Sequence, residues 1–280
     1  MRLRCLAPGK VNLTLYVGAP REDGLHPLVS VVQPVSLADE LTLEPAPAAA
    51  AEDAVVCPGV EGDNLAGAAL AAFRAATGWD APPQRLTIAK RVPVAAGMGG
   101  GSGDAAAALR LAAHAAGVDD PELLLRLAAR LGGDVPSQVA PGRTLMTGAG
   151  EHVRALPAAG DLALVVLPSE HGLSTPAVYR EFDRLGVQRS PEELAELEAR
   201  GGDAPVHNDL QDAARSLCPP IGDALAAVAA TGADHVLVSG SGPTVFGLYP
   251  HAERARAAAE AVGGIVAEPV RADFGAVHEA

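Results

Sequence analysis

Pro93-Val-Ala-Ala-Gly-Met-Gly-Gly-Gly-Ser-Gly-Asp104 carries five glycines in twelve positions, and an Ala-rich helical stretch runs on from Asp104 to about Ala116. Just before it, Leu86-Thr-Ile-Ala-Lys-Arg-Val92 alternates apolar and polar side chains as a half-buried strand does. The order is therefore strand, glycine loop, helix start. Such a loop lets backbone N–H groups converge without side-chain obstruction, and the helix N-terminus adds roughly half a positive charge. That combination suits a phosphate. A flexible linker has a similar composition but no reason to end in a helix with Ser102 and Asp104 available as caps. The loop is not a Walker A, since no Gly-Lys-Ser/Thr follows. Pro93 and the lack of a second strand ending in an acid set it apart from a dinucleotide fingerprint.

The rest of the composition narrows what the loop can serve. A chain of 280 residues with 49% hydrophobic residues can bury a large core, as one large domain or two moderate ones. No apolar run reaches the ~18 residues of a membrane span, and Met-Arg-Leu-Arg-Cys lacks a signal-peptide core. Cys5, Cys57 and Cys218 have no metal spacing and cannot all pair, which fits a reducing cytoplasm. A net charge of −13 argues against a nucleic-acid surface and requires that an anionic ligand be held by local donors. Among 21 basic residues only Lys10 and Lys90 are lysines. In so Arg-biased a chain, a retained Lys points to a place where a compact point charge is needed, although Lys90 is equally consistent with chance.

Taken in order, residues 3–17 read as two short strand-like runs around Ala7-Pro-Gly-Lys10. The alternation puts Val11, Leu13, Leu15 and Val17 on one face and Lys10, Asn12 and Thr14 on the other. Arg21-Glu-Asp-Gly-Leu-His26 is a polar turn before a strand from Leu28, and Glu40-Leu-Thr-Leu-Glu44 is a further strand. Asp63-Asn64 caps a helix to about Thr77, and Asp119-Asp-Pro-Glu122 starts one that stops at Gly132-Gly133. Asp134 follows, before Val-Pro. Its position suits either a directed carboxylate or a cap for the next short helix. Near residue 155 the pattern changes to strand, helix, helix, strand, strand, helix, strand, a second α+β domain. His207-Asn-Asp-Leu210 is placed to cap the helix it precedes, and Ser239-Gly-Ser-Gly-Pro243 reads as a glycine turn between strands.

Six stretches at these intervals resemble the GHMP kinase superfamily, and within it the kinases acting on 4-diphosphocytidyl-2-C-methyl-D-erythritol. Ala7–Leu13 is similar to the first motif, Arg21–His26 to the substrate loop and Pro93–Asp104 to the ATP loop. Leu131–Pro136 is similar to the segment bearing the catalytic aspartate; Asn208–Leu210 and Ser239–Pro243 resemble the C-terminal-domain motifs. The resemblance spans residues 3 to about 250. It implies a two-domain α+β fold: an N-terminal ribosomal-protein-S5-like domain (1–155), a C-terminal ferredoxin-like domain (156–280), and an active site in the cleft between them.

It also implies ATP-dependent phosphorylation of a small alcohol in isoprenoid precursor biosynthesis. Lys10 and Asp134 would be catalytic. Val94, Ala95, Ala96, Gly97, Met98, Gly99, Gly100, Gly101, Ser102, Gly103 and Asp104 would cradle the nucleotide. Asn12, His26, Thr175 and Tyr179 would take the substrate. Mg²⁺ would arrive with ATP rather than in a protein cage. The partners would be the small molecules alone, with no nucleic acid or membrane, in a monomer or weak homodimer. Two positions depart from the pattern: Leu25 replaces an aromatic that could stack on the base, and Gly103 replaces a Ser. Two rival readings are a sister kinase acting on another alcohol, such as a homoserine- or mevalonate-type substrate, and a non-catalytic nucleotide-binding protein on the same fold.

Overall fold

The computed structural model describes residues 1–280. The chain opens with two long strands, β1 (Leu3–Val17) and β2 (Leu28–Pro45), paired antiparallel from Leu3↔Leu43 to Val17↔Leu28. The shorter runs expected around Pro8 and before Glu40 are thus continuous. Register shifts between Pro8 and Lys10 and between Asn12 and Thr14 absorb the irregularities that would otherwise end a ladder. The second shift corrects the expected alternation. Val11 and Leu13 pack in one core with Tyr16, whereas Leu15 and Val17 join another. An extra residue on one strand turns every later side chain to the opposite face.

Next come β3 (Ala54–Val56), α1 (Leu65–Thr77), β4 (Gln84–Ala89), α2 (Gly100–Ala116), α3 (Pro121–Leu131) and α4 (Pro136–Val139). A hairpin not expected from the sequence, β5 (Thr144–Thr147) and β6 (His152–Ala155), completes this part. β2 is long enough to take β5 against residues 30–32 and β4 against residues 40–45. The second half runs β7 (Ala163–Leu167), α5 (Thr175–Leu185), α6 (Pro191–Arg200), β8 (His207–Asn208), α7 (Gln211–Leu217) and α8 (Pro220–Ala230). It ends with β9 (His235–Val238), β10 (Val245–Tyr249), α9 (Ala252–Val262), β11 (Ile265–Ala267) and β12 (His278–Glu279). Its antiparallel sheet has the order β11-β7-β10-β9. The passage from one sheet to the other falls between β6 and β7, but β8 and β12 return to pair with β1.

The layers follow from alternation in the strands. Leu3, Cys5, Leu41, Leu43, Leu86 and Ile88 face α1 and α2, around Phe73 and the alanines of α2. Val11, Leu13, Val29 and Val31 face Leu164, Val166, Phe246 and Leu248, so the two sheets share a core. Ala163, Val165 and Tyr249 point the other way, onto α9. Ala105 to Ala113 are buried nearly all round, because alanine lets α2 lie flat between α1 and the sheet. Phe73 is fully buried there, and its truncation to Ala would cost about 3–5 kcal/mol. No helix is long and apolar enough to cross a membrane.

Candidate active site

The main cleft, about 650 Å³, opens where the glycine loop, β1, the Gly133-Asp134 segment, α5 and the 240–242 turn converge. Its floor is Lys10, which is 2% exposed. The Lys10 backbone N–H donates to Met98 O at 2.8 Å, hooking the glycine loop onto β1. Its ammonium donates to Asn12 Oδ1 at 2.8 Å and to Gly97 O at 3.2 Å, and stands 3.2 Å from Asp134 Oδ2. Asn12 in turn donates from Nδ2 to Ser30 Oγ at 2.8 Å, and Ser30 donates to Thr14 O at 2.6 Å. The polar groups that run from Lys10 through Asn12 of β1 to Ser30 of β2 are therefore each oriented by the next. The bulge that diverts Leu15 makes it a wall of the same cleft.

Asp134 does not cap α4. That helix starts after Val135 with no side-chain cap, and the Asp134 carbonyl instead accepts from Ser137 Oγ at 2.8 Å. Its carboxylate is free to meet Lys10. Of the two uses open to this residue, the fold realises the directed carboxylate.

The glycine loop differs in one respect from expectation. Neither Ser102 nor Asp104 caps α2; the helix starts at Gly100, its cap is Gly99 in the left-handed conformation, and both polar residues lie inside the helix. No side chain therefore competes for the first-turn N–H groups, which α-helices leave unsatisfied. A Cβ on Gly101 would meet nothing within 4 Å, so that surface is open to the cleft. Gly97 is required for the opposite reason: its φ is +72°, and a Cβ would lie 2.3 Å from Ser239 O. Gly97 O accepts from Ser239 Oγ at 3.0 Å as well as from Lys10, so three separated motifs meet on one carbonyl. Of the eleven nucleotide candidates, nine line the cleft; Met98 is buried in the core between the sheets and Gly103 packs against Pro8 O.

The remaining candidates divide. Asn12, Thr175 and Tyr179 line the cleft, and Thr175 Oγ1 bonds Ser241 Oγ at 2.8 Å. Burial pushes the Tyr179 phenol up, with the charge of Asp134 adding to it. His26 is not in the wall. Its ring packs on Tyr179 with centroids 4.9 Å apart, and its Nε2 bonds Asp183 Oδ1 at 2.9 Å. Leu25 is 52% exposed and also outside the wall. His207–Leu210 forms a clamp rather than a helix cap. Asn208 donates to Val238 O and Gly240 O, both at 2.8 Å, and Asp209 accepts from the Val17 N–H and pairs with Arg189.

Several contributors escaped sequence reading, three of which illustrate why. Ser30 has no signal of its own in an apolar run, and the turn residue Ala149 lines the cleft unannounced. Asp39 was visible as an acid interrupting a strand. It is fully buried, accepts from Lys90 Nζ at 2.5 Å and from the backbone N–H groups of Arg91 and Val92. Lys90 also donates to Asp104 Oδ2 at 2.8 Å, so it ties β2 to the first turns of α2.

Comparison with known proteins identifies the family. Residues 64–142 match the family described as GHMP kinases N terminal domain, and residues 179–266 match GHMP kinases C terminal. The 4-diphosphocytidyl-2-C-methyl-D-erythritol kinase of Streptomyces coelicolor is 44% identical over 94% of this chain and 92% of its own length. That of Anaeromyxobacter sp. is 38% identical over 92% and 86%. A crystal structure of 4-(cytidine 5'-diphospho)-2C-methyl-D-erythritol kinase superposes with a TM-score of 0.75 at 38% identity, covering 94% of this chain and 97% of that one. Homoserine kinase from Cytophaga hutchinsonii shares the fold at 16% identity, with a TM-score of 0.75. The chain belongs to the GHMP kinase family, among relatives that are 4-diphosphocytidyl-2-C-methyl-D-erythritol kinases.

Proposed function

We infer that this chain is an ATP-dependent kinase that phosphorylates the 2-hydroxyl of 4-diphosphocytidyl-2-C-methyl-D-erythritol in non-mevalonate isoprenoid precursor biosynthesis. The observation that carries the residue assignment is the Lys10–Asp134 contact at the floor of a cleft walled by a glycine loop. An alcohol is a weak nucleophile, so its proton must leave as the new P–O bond forms. Asp134 is the acceptor: the hydroxyl oxygen bonds to the γ-phosphorus, the β–γ bridging bond breaks, and the proton passes to the carboxylate. Lys10 faces the same point, where its ammonium stabilises charge on the phosphoryl oxygens.

Gly97 and Gly99 to Ser102 hold the phosphates through backbone N–H groups at the α2 N-terminus. The residues present also fit Mg²⁺ carried by those phosphates. The Ser102 hydroxyl on the cleft wall is an oxygen donor of the kind this ion takes. When bound, the ion neutralises phosphate charge. Asn12 and Thr175 contact the sugar-alcohol end, and Tyr179, backed by His26, supports the cytosine. The enzyme works in the cytoplasm as a monomer or weak homodimer, without nucleic-acid or membrane partners, and its domains divide near residue 155.

An ADP-coupled assay across diphosphocytidyl-methylerythritol, homoserine and mevalonate tests the substrate; turnover of either of the latter two in preference would reassign it. Asp134→Asn tests the base. Turnover should fall by on the order of 10²–10⁴ with ATP affinity little changed.

A further inference from the structure

The turn between β5 and β6 belongs to no stretch that drew attention in the sequence, yet it presses on the backbone carrying Asp134. Gly150 has a φ of +106°, and a Cβ there would lie 2.5 Å from Gly133 O, 3.0 Å from its carbonyl carbon and 3.1 Å from its Cα. The contact is mutual, for a Cβ on Gly133 would lie 2.8 Å from Ala149 O. Only two residues without side chains let these backbones touch.

This contact matters because of what precedes Asp134. Gly132 and Gly133 leave the backbone free to turn, and the only charged partner of the half-exposed Asp134 carboxylate is Lys10. The direction of the carboxylate must therefore be imposed from outside the loop. On one side, Ser137 Oγ holds the Asp134 carbonyl. On the other stands the β5–β6 turn, itself braced. Its Gly148 carbonyl accepts from the Leu28 N–H at 2.7 Å. The Glu151 carboxylate accepts from the Ala149 N–H and pairs with Arg21 Nη1 at 3.4 Å.

We propose that Gly150 and Glu151 are positioning residues: the turn they shape holds Gly133, and through it sets the Asp134 carboxylate against Lys10. The inference rests on Asp134 being the proton acceptor. Neither residue touches the reacting atoms, and both act through the segment next door.

The test compares Gly150→Ala, Glu151→Ala and Glu151→Gln, each alone and combined with Asp134→Asn, by steady-state kinetics and thermal melting. Gly150→Ala should lower kcat by roughly 100-fold, the scale of an ångström-sized misplacement, with KM for ATP changed by less than about twofold. Glu151→Ala should lower kcat in the same pattern. Glu151→Gln, which keeps an acceptor for the Ala149 N–H, should recover most of it. In the Asp134→Asn background Gly150→Ala should cost less than about threefold, since the residue it positions is already gone. A Gly150→Ala enzyme with native kcat overturns the proposal. So does a loss that is equally large with and without Asp134, or one that merely follows the melting temperature. If Gly150→Ala does not fold, the two Glu151 variants decide by the same criteria. An Asp134→Asn enzyme at native speed would remove the base assignment and this inference together. An impaired one beside a native Gly150→Ala removes only this inference.

Discussion

The ammonium of Lys10 meets the carboxylate of Asp134 at 3.2 Å, but the two side chains are exposed very unequally, 3% against 38%. The lysine is built into the protein, and the aspartate faces the cleft. In the mechanism proposed above, this asymmetry suits a fixed charge that does not move, beside a base that can reach its substrate.

Lys10→Arg should therefore be badly impaired although it keeps the charge. The Lys10 ammonium has three acceptors around it in Asn12, Gly97 and Asp134, and a Cβ on Gly99 would lie only 2.9 Å from Lys10 Cε. A planar guanidinium neither fits that space nor matches that geometry. We expect kcat to fall by at least ~10²-fold, as for loss of one transition-state charge contact, with the fold retained by circular dichroism. Arginine at full activity would show that charge alone is needed.

Gly101→Val and Gly97→Ala should fail in different ways. Gly101 opens on the cleft, so the valine should leave melting nearly unchanged and block nucleotide binding by calorimetry. Gly97→Ala drives a methyl into Ser239 O, so it should lower stability, by about 1–3 kcal/mol as overpacking does, as well as binding. Unchanged ATP affinity in Gly101→Val would place the phosphates elsewhere. Gly100, whose Cβ would meet Lys90 Nζ and Val92 at 3.2 Å, is a less selective probe.

Tyr179 should matter for the cytidylated substrate and for stability together. It lines the cleft and also packs against the core that contains Val178 and Phe182. Tyr179→Ala should weaken diphosphocytidyl-methylerythritol by about 1–3 kcal/mol, the scale of one base–aromatic contact, and leave ATP nearly untouched once corrected for the folded fraction. Tyr179→Phe should retain both binding and melting temperature. Equal loss of both ligands would make the residue purely structural. Leu25→Tyr should rescue nothing, since position 25 lies outside the cleft wall.

Asp104 supplies a pH-dependent stability effect. Burial pushes its carboxyl up from 3.8 to about 6, and Asp39 adds to this although Lys90 pulls the other way. The folded chain thus holds a proton that the unfolded chain has released over this window. Stability from this group falls as pH rises from about 3.8 to about 6, and its cost stays in full above that. Asp104→Asn removes the cost. Urea unfolding at pH 4 and pH 8 should show the variant gaining on the parent as pH rises; a gain that shrinks with pH would refute the assignment.

Much of this was legible in the chain itself. Local chemistry writes directly into sequence: the glycines before an Ala-rich helix, Asn64 and Asp120 as caps, and the unbroken apolar run of the β7 strand. The glycine loop, Lys10 and Asp134 could be singled out because each breaks a local pattern. Other features depend on which distant segments meet. The bulge near Leu13 sends Leu15 into the cleft wall, and it arises from the pairing of β1 with β2, not from either strand alone. Whether Asp134 caps a helix or meets Lys10 was open until the fold brought them together across the cleft. Lys90 gained its partners only when Asp39 and Asp104 arrived from β2 and α2. Sequence records what a residue can do to its neighbours along the chain. The placement of a charge beside another far away is decided by tertiary packing, because burial makes an unpaired charge too costly to leave where it is.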